Sequence, residues 1–130
     1  AGLSADVREH LDDMGAAYAA ADLVVCRSGA STLAELHAQL KPALLIPYPH
    51  AAADHQDANA RVFEKSGAAV LLREDELGGR LGALLTDLLK SPEAEIHRTK
   101  MAEACERLGL PSAEKTTERF IEELEKLSRT

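Results

Sequence analysis

Aromatic residues are scarce in this chain: Phe, Tyr and Trp together make up 3% of 130 residues, and Trp is missing altogether. Any core must therefore be assembled from Ala, Leu, Val and Ile. There are two cysteines, Cys26 and Cys105, and they form neither a CxxC pair nor a disulfide framework, which suits a reducing cytosol. No apolar run approaches the ~20 residues of a membrane span, and no signal-peptide pattern opens the chain. Positive charge is short as well. Against 22 Asp+Glu stand 15 Lys+Arg, a formal net charge of −7, and the sequence pI is near 5.2. That balance excludes the basic face a duplex nucleic-acid binder needs to neutralise phosphates, so no nucleic-acid partner is expected. The chain opens on Ala1 and not on Met, as a piece of something longer would.

What is present fits a folded domain. A hydrophobic content of 45% with 28% charged residues is that of a soluble globular chain and not of a disordered one. Its length suits one domain, able to bury about two-thirds of the surface exposed when unfolded.

Apolar periodicity switches between short runs and helical spacing. Ala68-Ala69-Val70-Leu71-Leu72, Leu23-Val24-Val25-Cys26 and Ala43-Leu44-Leu45-Ile46-Pro47 read as buried strands, and residues 7–11 as a weaker first one. Continuous apolarity suits parallel strands covered on both faces. Helical spacing predicts helices over residues 12–21, from Ser31 or Thr32 through Leu33, Leu36 and Leu40, and over 54–66 with Asp54 as N-cap and Gly67 as terminator. A Leu stripe from Leu77 to Leu88 marks a fourth. Ser91-Pro92 reads as N-cap and N1 of a fifth that Gly109 ends, and residues 112–128 make a last amphipathic helix. Strands alternating with helices imply an α/β fold with a three- to four-stranded parallel sheet and flanking helices. Such a sheet is closer to half of a doubly wound domain than to a whole one.

The segment Cys26-Arg27-Ser28-Gly29-Ala30-Ser31-Thr32-Leu33-Ala34-Glu35 follows a strand and opens a helix, so it lies at the carboxyl edge where α/β folds bind ligands. Small residues allow close approach, and the open N–H groups of a first helical turn receive phosphate. Glu35, at the same helix end, is placed to accept hydrogen bonds from a ribose diol. The same residues also suit a tight turn with Ser31 or Thr32 as N-cap and Glu35 completing a capping box. The second segment, Pro47-Tyr48-Pro49-His50 through Asn59, should share that edge. Its His50, His55, Gln56 and Asn59 suit sugar hydroxyls, with Gln56 and Asn59 on one helix face.

Rival chemistries fit less well. His50, His55 and Asp54 lack a recognised metal-ligand spacing, so no metal or other cofactor is expected. A hydrolase built on Ser28 or Ser31 with His50 or His55 lacks the GxSxG elbow. Cys26 reads as a small buried hydrophobe, and His37 and His97 as surface or boundary side chains. Phe120, Ile121 and Leu124 read as core or docking contacts.

The run Leu11-Asp12-Asp13-Met14, Ala16-Ala17-Tyr18, Ala21-Asp22-Leu23, Cys26-Arg27-Ser28-Gly29-Ala30 and Glu35 resembles the signature of the MurG family of peptidoglycan N-acetylglucosaminyltransferases. It continues through Lys41-Pro42-Ala43, Ile46-Pro47, His55-Gln56, Asn59-Ala60, Glu64-Lys65 and Gly67-Ala68-Ala69, so the dense match covers residues 11–72. The resemblance implies the Rossmann-like C-terminal domain of a GT-B glycosyltransferase. Such an enzyme moves GlcNAc from UDP-GlcNAc onto lipid I, giving lipid II for cell-wall growth, cell shape and division. By that resemblance Leu11 sits at the uracil, and the backbone of Gly29, Ala30, Ser31, Thr32, Leu33 and Ala34 holds the diphosphate. Glu35 then binds ribose, His55, Gln56 and Asn59 hold the sugar, and Arg27 flanks the phosphate turn.

Residues 1–110 are then a partial donor-binding domain, and 111–130 a helix packing on it or on an absent N-terminal domain. The glycine-rich loop, candidate base and lipid I site of the family belong to that other domain, so no catalytic residue is expected here. Neither is direct membrane contact, although the whole protein would be peripheral on the inner face of a bacterial membrane. The rivals are a UDP-sugar transferase with another acceptor, a non-catalytic nucleotide-sugar module that needs a partner subunit, and a folded piece without ligand affinity.

Overall fold

The computed structural model describes residues 4–49, 54–110 and 117–129, with the side chains of Asp54 and Thr117 outside the description. The helices are α1 (Met14–Ala20), α2 (Ala30–Ala38), α3 (Asp54–Ser66), α4 (Leu77–Leu89), α5 (Ala94–Glu106) and α6 (Thr117–Ser128). The strands are β1 (Val24–Cys26), β2 (Ala43–Leu45) and β3 (Ala69–Leu71). They form one parallel sheet in the order β1-β2-β3, with Val25 opposite Leu44 and Leu44 opposite Val70. The α/β architecture read from alternating periodicity is therefore the one observed.

The central strand explains why its sequence is continuously apolar. Ala43 and Leu45 face a core shared with Leu33 and Leu36 of α2, Phe63 of α3, and Phe120 and Leu124 of α6. Leu44 points the other way, into a second core with Leu72, Leu88 and Met101. Side chains alternate across a strand, so helices on both faces demand an apolar residue at every position. β1 is covered less completely, and Val25 stays 44% exposed.

Local chemistry sets the ends. The Asp13 carboxylate accepts from the Ala16 N–H at 2.9 Å and caps α1. Lys41 Nζ donates to the Ala19 and Ala21 carbonyls, and Gln39 Nε2 to the Gly15 carbonyl, strapping α1 to the end of α2. Gly67, at φ +88°, ends α3 in the left-handed region that glycine enters without penalty.

Four expectations change. Residues 7–11 form no strand: Val7 is 92% exposed and the segment finds no sheet partner. Neither Ser31 nor Thr32 caps α2, because the helix begins earlier, behind Gly29, and no side chain bonds its first turn. Ser91 does not cap α5: its hydroxyl donates to the Asp87 carbonyl at the end of α4, and α5 starts at Ala94 behind Glu93. Helix α5 ends at Glu106, ahead of Gly109, which lies at φ +68°. The Asp54 cap, His50 and residues 112–116 of the last predicted helix lie outside the described residues.

Candidate functional site

Parallel strands send their carboxyl ends to one edge, and the segments after β1 and β2 meet there. Ser28, fully buried, donates its hydroxyl to the Gln56 carbonyl at 2.7 Å, and the Tyr48 N–H donates to Gln56 Oε1 at 2.9 Å. The first bond fixes the start of α3 against the turn that opens α2, and the second against the segment that follows β2. Gln56 Nε2 lies 3.9 Å from where a Cβ on Gly29 would sit, an ordinary contact distance that places the amide beside the turn. Ser28 is thereby a structural hydroxyl, not a nucleophile.

A cavity of about 280 Å³ opens at this junction, lined by Gly29, Ala30, His55, Gln56, Asn59 and the α6 residues Ile121, Leu124 and Glu125. Asn59 is only 5% exposed and brings its amide to the wall. Five residues expected to bind a ligand thus share one cavity, although they come from two segments. The turn presents the positive end of a nine-residue helix, where anions are stabilised. The Leu33 N–H already donates to the Gly29 carbonyl at 3.0 Å, and Leu33 and Ala34 are buried in the core. The donors open at this helix end are therefore those of Ala30, Ser31 and Thr32.

Glu35 does not line this cavity. It lies on the α1 side of α2, with its carboxylate near the Tyr18 hydroxyl. Burial and the neighbouring Glu35 carboxylate push the Tyr18 hydroxyl up to about 12, so it stays protonated. Leu11 is half-buried in the segment leading to α1, also outside the cavity.

Arg27 turns away as well: its guanidinium pairs with Glu74 at 2.7 Å, donates to the Ile46 and Pro47 carbonyls at 3.4 Å, and lies 5.3 Å from the Tyr48 ring centroid. Burial pushes the Cys26 thiol up to about 11, which keeps it protonated and a poor nucleophile. Among the described residues no group of three or more His, Cys, Asp or Glu could hold a metal ion.

Two contributions escaped the sequence reading. Tyr18 fell on the apolar stripe of α1, where a phenol is indistinguishable from a core aromatic. Ile121, read as a core or docking contact, and Glu125, not singled out at all, stand four apart on one face of α6, and only the placed helix brings that face to the cavity.

The chain matches the glycosyltransferase family 28 C-terminal domain over residues 2–127. A relative from Anaeromyxobacter dehalogenans (strain 2CP-C) is 51% identical over 115 residues, covering 88% of this chain and 29% of the relative. One from Myxococcus xanthus is 48% identical over 115 residues with the same coverage. One from Halothermothrix orenii is 43% identical over 121 residues, covering 92% of this chain and 32% of the relative. Each is named UDP-N-acetylglucosamine--N-acetylmuramyl-(pentapeptide) pyrophosphoryl-undecaprenol N-acetylglucosamine transferase. The chain spans under a third of the length of these relatives.

Proposed function

The chain belongs to the glycosyltransferase family 28 C-terminal domain family, and from that premise we propose that it is the donor-binding part of a UDP-GlcNAc-dependent transferase. In that reading the whole enzyme adds GlcNAc to lipid I, giving lipid II for peptidoglycan. The observation that carries the reading is the convergence of Gly29, Ala30, His55, Gln56 and Asn59 on one cavity at the start of α2.

The roles in this reading are those the family resemblance implies, fitted to the observed geometry. The N–H groups of Ala30, Ser31 and Thr32 hold the diphosphate, and the helix dipole stabilises the UDP that leaves. His55, Gln56 and Asn59 hold sugar hydroxyls on one flank of α2. Glu35, beside Tyr18, takes the ribose diol on the other, with Leu11 beyond it at the base. Arg27 would reach the diphosphate by exchanging its pairing with Glu74. An acceptor hydroxyl then attacks the anomeric carbon with inversion, without a covalent enzyme intermediate and without a metal. The acceptor site and the base acting on it belong to the part of the relatives' length that this chain does not span. The chain is therefore expected to bind donor without transferring it. No helix among the described residues is long and apolar enough to cross a membrane, which accords with a peripheral place on the inner face of a bacterial membrane.

Titration of the chain with UDP-GlcNAc, followed by amide NMR, should shift residues 28–35. Glu35→Ala should weaken UDP by about 1–3 kcal/mol, the scale of a charge-assisted hydrogen bond. Unchanged spectra at millimolar ligand would overturn donor binding by this chain, and an unaltered UDP affinity would remove Glu35 from the site.

A further inference from the structure

Helix α6 enters the donor cavity although its sequence reads as a docking helix. Phe120 and Leu124 are fully buried in the core shared with α2 and α3, so the helix is a fixed part of the domain. On the neighbouring stripe, Ile121 and Glu125 face the same cavity as Gln56 and Asn59. Residues four apart lie one above the other on a helix, so this wall offers an apolar surface beside a carboxylate. The opposite wall, from α3, is polar. A cavity of about 280 Å³ is at the lower end of the range for small-molecule sites, room for one sugar and not for a whole nucleotide sugar.

We propose that α6 is the sugar-reading wall of the donor cavity: Ile121 receives the methyl of a 2-acetamido group, and Glu125 accepts its amide N–H. A plain hydroxyl at that position uses the carboxylate but leaves the apolar wall unmatched. An acetamido group uses both. A sugar acid would meet Glu125 as a like charge and be rejected, which gives the wall a repulsive role beside the attractive one. This inference rests on the donor-binding reading and adds a determinant of which sugar is admitted.

The test is calorimetric titration of the whole 130-residue chain with UDP, UDP-glucose and UDP-GlcNAc, for the unchanged protein, Glu125→Ala and Ile121→Ala. The unchanged chain should prefer UDP-GlcNAc over UDP-glucose by about fivefold or more, the scale of one added apolar contact with a hydrogen bond. Each variant should bring that ratio toward one, while its affinity for UDP stays within about twofold. Far-UV circular dichroism checks folding; Glu125 is exposed, so its variant decides if Ile121→Ala is compromised. An unchanged ratio in Glu125→Ala overturns the proposal. So does UDP binding with no preference between the two sugars, an outcome that leaves the nucleotide-binding reading standing. Failure of all three ligands to bind overturns both.

Discussion

His37 occupies the least satisfied position among the described residues. It is half-buried on α2 with its ring 5.5 Å from that of Phe120, and neither ring nitrogen has a hydrogen-bond partner. Burial holds its pKa below the ordinary 6.5, because the imidazolium would lose more hydration than it gains. The unfolded chain then takes up this proton more readily than the folded one, so stability rises with pH across that window. The contribution is fully present above pH 6.5 and is lost progressively as pH falls from there to the lower folded value. Urea unfolding at a series of pH values between about 5 and 7.5 should show this slope, and His37→Leu should flatten it. Groups away from α2 are common to both proteins and cancel in the difference. Equal slopes for the two would mean that His37 carries no such load.

At the scale of elements, α6 links stability to the site. Phe120 is fully buried against α2 and α3, and truncating it should cost about 3–5 kcal/mol, by lost transfer energy plus the cavity left behind. Phe120→Ala should therefore lower the urea midpoint markedly. It should also erase the preference for UDP-GlcNAc over UDP-glucose, since the wall formed by Ile121 and Glu125 comes away with the helix. A stable variant that keeps the preference would separate α6 from the cavity.

The same helix shows where sequence reading stops. The strands were legible because β2 is buried on both faces, which leaves an unbroken apolar run that no half-exposed segment shares. The helix of Gln56 and Asn59 was legible from its spacing and from Gly67. Residues 7–11 looked like a strand because local apolarity does not report whether a partner edge is available. The cap of α2 was misplaced because a glycine in extended conformation opens the helix as well as a hydroxyl does, leaving its N–H groups open to a ligand. Ile121 was legible as a contact residue of α6 but Glu125 was not, because which cavity that face meets is a tertiary fact.

For the whole molecule, the question the proposed function raises is how a chain of net charge −7 would hold a dianionic diphosphate. A basic cleft is not the arrangement here. Arg27, the cation nearest the turn in sequence, is tied to Glu74, while Glu125 lines the cavity and Glu35 flanks the same helix. Attraction comes from short-range dipoles, the open N–H groups of Ala30, Ser31 and Thr32, which act over hydrogen-bond distance and are little screened. Repulsion comes from the summed acidic field, which acts over about 10 Å and is screened by salt. Raising potassium chloride from about 0.05 to 0.5 M shortens the Debye length from about 14 Å to about 4 Å, removing the unfavourable component and leaving the favourable one. UDP affinity should thus stay level or rise by about twofold, the opposite of the steep loss that follows when lysines and arginines neutralise phosphates. Calorimetry across that salt series reads the sign directly, and an affinity that falls severalfold would show that side-chain cations, with Arg27 first among them, hold the diphosphate.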